Sequence, residues 1–122
     1  MYPLLVTLAL WSGCWRAPSP PDDPTYDPRE AIQALDIALN AWKAGRTAGL
    51  RQAMPPIRFV DDDCSAGLRL LSYELAPEQS VRPYQDVSAL LLLSNRYGKP
   101  IKRLAHYQIV LKPHVAVLRS DM

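Results

Sequence analysis

The spacing of apolar positions changes character near Pro56, dividing the chain into a helical stretch and an extended one. From residue 28 on, Ile32, Leu35, Leu39 and Trp42 recur at three- and four-residue intervals, with alanines at 31, 34, 38 and 41 that allow close approach. Asp27-Pro28-Arg29-Glu30 supplies a capping aspartate, a proline at the first helical position and a glutamate three places after the cap. Gly45 is placed to end the helix in a left-handed cap. The pattern predicts an amphipathic helix of roughly four turns, with Trp42 as a core anchor rather than a binding residue. Thr47 to Ala53 adds a short turn before Met54-Pro55-Pro56 breaks the chain.

Beyond Pro56 the period shortens. Ile57 to Val60 alternates and stops at Asp61-Asp62-Asp63; Gly67 to Leu75 follows as a second strand with Leu71, Tyr73 and Leu75 on one face. Val87 to Ser94 is almost continuously apolar, the pattern of a central strand covered on both faces. Asn95 to Lys99 predicts a hairpin loop with Gly98 at a positive φ. Ile101 to Leu111 places Ile101, Ala105, Tyr107 and Ile109 on one side, and Lys112-Pro113 turns into a last strand, Val115 to Arg119.

A helix followed by four or five antiparallel strands buries both elements only if the sheet curls around the helix. The expected fold class is therefore α+β, one amphipathic helix packed against a curved antiparallel sheet. This order resembles the cystatin-like α+β roll, shared with the nuclear transport factor 2 superfamily. It is similar, too, to small secreted bacterial proteins with a Trp-Lys-Ala-Gly helix end, here Trp42 to Gly45, and a Tyr-x-Val-type late strand, here Tyr107 to Val110. The resemblance spans residues 28–119 and implies no particular activity.

Ahead of this domain, Leu4 to Trp11 is uncharged and mostly apolar, far short of the ~20 residues that cross a bilayer. It reads as a secretory signal, with the small residues Ser12 and Gly13 beside the expected cut. Ser12-Gly13-Cys14 resembles the bacterial lipobox, which implies a lipid attached to the Cys14 thiol and a membrane-anchored, exported protein. Trp11 stands where that motif prefers leucine, and no Lys or Arg precedes the apolar run. An ordinary signal followed by a chance cysteine is the alternative, and it leaves a Cys14–Cys64 disulfide open. Five prolines between Pro18 and Pro28 favour an extended tether. The expected organisation is a signal at 1–13, a tether at 14–27 and a single domain at 28–122.

Charge narrows the partners. The 122-residue chain carries 14 basic and 12 acidic side chains. Arg16 faces Asp22, Asp23 and Asp27 ahead of the domain, which leaves 13 basic and 9 acidic residues from 28 on. They are scattered rather than clustered with aromatics, which argues against nucleic acid. The expected partners are the membrane, through the lipid, and a protein or small molecule of unspecified kind.

Candidate chemistry is sparse. Asp61 and Asp63 have the alternation of a calcium loop but no distal glutamate, so Asp61-Asp62-Asp63 reads as a polar turn. His106 and His114 flank a strand connection without a third ligand in view. Neither a metal nor a cofactor is expected, and no catalytic residue is assigned. Cys64 reads as a small residue at a turn. The leading functional expectation is a non-catalytic binding or envelope-accessory domain. A proton-transfer enzyme or small-molecule carrier is the alternative: some folds of the resembled superfamily use an aspartate and a tyrosine, which here implies inward Tyr73 or Tyr107 with Asp61 or Asp86 at a rim. A cystatin-like protease inhibitor is the third, on the Gln79-Ser80-Val81-Arg82-Pro83 near-match to the inhibitory Gln-x-Val-x-Gly loop.

Overall fold

Asp27 starts the first helix as its sequence dictates. In this computed structural model, which describes residues 26–76 and 86–121, its carboxylate accepts from Arg29 N at 2.9 Å and Pro28 occupies the first turn. Helix α1 runs Pro28–Lys43, closes on Ala44 and is followed by Gly45 at φ +71°. Glu30 makes no hydrogen bond with any described residue, so only the Asp27 half of the predicted capping box forms. Ala31, Ala34, Leu35, Ala38, Leu39 and Trp42 are buried along one stripe. The small alanines let the helix lie close to the sheet, and each buried leucine adds about 1.5–3 kcal/mol. A 3-10 turn, Thr47–Gln52, follows and buries Leu50.

The remaining elements are β1 (Ile57–Val60), a one-turn helix α2 (Asp62–Ser65), β2 (Arg69–Leu75), β3 (Val87–Ser94), β4 (Pro100–Val110) and β5 (Val115–Arg119). They form one curled sheet in the order β1-β5-β4-β3-β2. The class is α+β, as expected, but the sheet is mixed: β1 lies parallel to β5, Ile57 opposite Val115, while all other pairs are antiparallel. The first and last strands thus pair at one edge of the sheet, a long-range pairing that strand alternation carries no information about.

The concave face holds the core. Val87, Ala89, Leu91 and Leu93 of β3 and Ala105, Tyr107 and Ile109 of β4 meet Leu35 and Leu39 of α1. Trp42 is 5 % exposed and donates Nε1–H to the Leu68 carbonyl at 2.9 Å, tying the end of α1 to the start of β2. The hairpin between β3 and β4 forms as predicted: Asn95 Oδ1 accepts from Tyr97 N and Lys99 N, and Gly98 sits at φ +78°.

Two strand expectations need correction. A bulge between Leu70 and Ser72 shifts the alternation of β2, so that Leu70 is buried and Leu71 is exposed. An extra residue in one strand exchanges the faces of its neighbours. Strand β3 is covered only in part on its outer face, where Ser88 and Ser94 are buried but Leu90 is 45 % exposed.

Candidate functional site

Asp61 ends β1 and caps α2, its Oδ1 accepting from Cys64 N at 3.1 Å. The expected polar turn is therefore a capped helical turn with its first and third aspartates turned inward. Asp61 is 1 % exposed and Asp63 is 7 %, while Asp62 faces solvent. The reason is Arg119, which β5 delivers from the neighbouring strand. Its Nη1 lies 3.3 Å from Asp61 Oδ1 and 2.9 Å from Asp63 Oδ2. Its Nε and Nη2 engage the two oxygens of Asp121 at 2.5 and 3.1 Å. Arg103 of β4 reaches the other Asp63 oxygen at 2.5 Å.

Tyr107 completes the cluster. It is fully buried on β4 and donates its hydroxyl to Asp61 Oδ2 at 2.5 Å. Its ring stacks on Phe59 at 6.4 Å, Phe59 in turn lies 6.1 Å from Trp42, and the Arg119 guanidinium sits 5.8 Å from the Tyr107 ring. Three carboxylates, two guanidiniums and a phenol are thus brought together from α2, β4, β5 and the residues flanking them. Every buried side-chain nitrogen and oxygen among the described residues has a partner.

The electrostatics follow from that packing. Burial raises the Tyr107 hydroxyl well above its ordinary value of 10.0, and the hydrogen bond to Asp61 with the Asp61 charge raises it further, so the phenol stays protonated. Burial opposes the charge on Arg119, but the hydrogen bonds to Asp121 and Asp63 and the Asp61 charge outweigh it. Arg119 stays cationic. Asp121 also meets a burial penalty, yet its bonds from Arg119 and the His106 backbone hold its carboxyl below the ordinary value of 3.8.

The pairing of an aspartate with an inward tyrosine was among the sequence expectations, and Asp61 with Tyr107 is where it falls. Tyr73 is only half-buried and donates to Asp36 of α1 at 2.8 Å; burial first, and then that bond and the Asp36 charge, push its hydroxyl up to about 12. Asp86 lies exposed before β3 and joins neither pair. His106 and His114 do not meet: His106 Nδ1 is 2.9 Å from Ser88 Oγ across the β3–β4 ladder, and His114 lies in the bend before β5. Among the described residues no group of three or more His, Cys, Asp or Glu side chains is placed to hold a metal. Arg119, Asp121 and Arg103 escaped the sequence reading because nothing in their local pattern marks them; a charged residue ending an apolar strand was the one available signal.

On the other side of Asp61 lies an open groove of about 1460 Å³. Edge strand β1 lines it together with the 3-10 turn, Pro55-Pro56, Leu111, Pro113, His114 and Val115. Arg51, Arg58 and His114 line it, and none makes a hydrogen bond or ion pair with a described residue. Cys64 opens onto the groove, half-buried and free, with burial and then the Asp61 charge raising its thiol despite a hydrogen bond with Thr47. No feature of the local sequence announced this groove. It exists because β5 aligns with β1 and leaves β1 at the sheet's edge.

Cys14, the lipobox residues, the tether up to residue 25 and the Gln79–Pro83 loop lie outside the described residues; the last two residues of the expected tether, Tyr26 and Asp27, join the domain, Tyr26 donating its hydroxyl to the Ile109 carbonyl at 3.1 Å and Asp27 capping α1. Among those described, no helix is long and apolar enough to cross a membrane. No family model, curated protein or solved structure matches the chain.

Proposed function

We propose that residues 28–122 form a binding module whose ligand enters the groove beside β1, carried outside the cytoplasm by the leader and tether and moored through Cys14. The observation that carries the binding half is the contrast across Asp61. Behind it every ionic group is paired, and in front of it Arg51, Arg58 and His114 have no described partner. A general base needs a carboxylate free to accept a substrate proton. The Asp61 oxygens already accept from Tyr107, Arg119 and Cys64 N, which favours a structural role for the pair over proton transfer. A helix seated on the concave face of a curled sheet supports the kinship with a cystatin-like roll, with the parallel β1 as a departure.

The export half rests on the apolar run before Ser12-Gly13-Cys14. Labelled palmitate fed to producing cells should enter the wild-type protein and not Cys14→Ala; equal labelling of both, or of neither, refutes the anchor. Binding is tested by amide shifts of the full chain titrated with a library of short peptides and small anions. Shifts centred on residues 51–60 and 111–116 are expected. Shifts that gather instead around Tyr107 and Arg119 refute the groove.

A further inference from the structure

The groove combines two features that specify a class of ligand. First, β1 is the terminal strand of the sheet, paired with β5 on one side and with no described strand on the other. Its outward backbone groups are a template for one more strand. Four residues span about 13 Å, enough to register a short extended segment. Second, the charged side chains open to the groove are mostly basic: Arg51, Arg58 and His114 line it with the single carboxylate of Glu30, since Asp61 is buried and engaged by Arg119. Pro55, Pro56, Leu111 and Val115 supply apolar surface between them.

Resting on the binding reading above, we propose that the ligand is an acidic peptide segment in extended conformation, which adds as a sixth strand to the free edge of β1. Its backbone pairs with Ile57–Val60, alternate carboxylates reach Arg51 and Arg58, and the intervening apolar side chains lie on Pro55 and Pro56. Backbone pairing supplies affinity, while the two guanidiniums supply the preference for acid and a bidentate fit to carboxylate. The chain's own acidic stretch, Pro20 to Asp27, suits this edge poorly: Pro20, Pro21 and Pro24 lack the N–H groups a ladder needs.

The test uses the full chain with two capped peptides, Asp-Val-Asp-Val-Asp and Lys-Val-Lys-Val-Lys. The acidic peptide should bind, shift the amides of residues 57–60 and weaken as salt rises. Arg51→Glu and Arg58→Glu should each lower its affinity about tenfold, and the doubly reversed chain should take the lysine peptide instead. Both arginines are exposed, so the variants keep the wild-type circular dichroism. An acidic peptide N-methylated at alternate residues should lose binding in the register that faces β1 and keep it in the other. Equal binding of both peptides, or no loss in either methylated register, overturns the acidic strand. If other library members still shift the groove amides, the binding reading stands without it; if nothing shifts them, both fall.

Discussion

The two faces of Asp61 use the same kinds of side chain to opposite ends. On the closed face Arg119 sits between Asp61, Asp63 and Asp121 with the Tyr107 ring beside it; on the open face Arg51 and Arg58 line the groove along the edge strand β1. Burying an ion is costly unless its partners are buried with it, so the closed face had to assemble a complete set. The open face bears no such cost, because water solvates its guanidiniums until a ligand replaces it. Charge alone therefore does not mark a site in this protein. A charge left without an internal partner does.

The sharpest way to break the comparison is to remove the hub of the closed face. Arg119→Met leaves the buried Asp61 without a cationic partner and Asp63 with Arg103 alone, and should cost about 3–5 kcal/mol of unfolding free energy, read from a denaturant titration. A loss below 1 kcal/mol would place Arg119 among the solvated charges. Adding Asp61→Asn to that variant should cost less than the two single changes summed, because the cluster acts as a unit. Tyr107→Phe keeps the ring stack on Phe59 and removes one donor to Asp61, so about 1–3 kcal/mol is expected.

Acidity separates the faces more gently. The Tyr107 hydroxyl ionises less readily folded than unfolded, so its linked stability is complete below pH 10 and declines as pH rises beyond the unfolded value of 10.0. Melting temperature should fall above pH 10, and less steeply in Tyr107→Phe. Asp121 has the opposite sign: its depressed carboxyl contributes fully above the ordinary value of 3.8 and loses that contribution as pH drops below it. Asp121→Asn should flatten the acid limb of the same melting profile. The smallest effect belongs to the open face. Arg51→Ala and Arg58→Ala should each move stability by less than about 0.5 kcal/mol while weakening acidic ligands. A larger change would show that the groove is part of the framework.

Local chemistry alone determined much of this architecture. Asp27-Pro28 at one end and Gly45 at the other bound α1, and the leucine–alanine stripe told which side is buried. Asn95 to Gly98 announced the β3–β4 turn, and the alternation through Ala105, Tyr107 and Ile109 gave the inner face of β4. These follow from interactions between residues a few positions apart, which sequence spacing records directly. The bulge at Leu70–Ser72, the parallel pairing of β1 with β5 and the closure of Arg119 on Asp61 join positions whose relation exists only once the chain has folded. Arg119 lies 58 residues from Asp61. No periodicity encodes a contact of that span, and so the tertiary structure alone decided which charges were sealed in and which were left facing the groove.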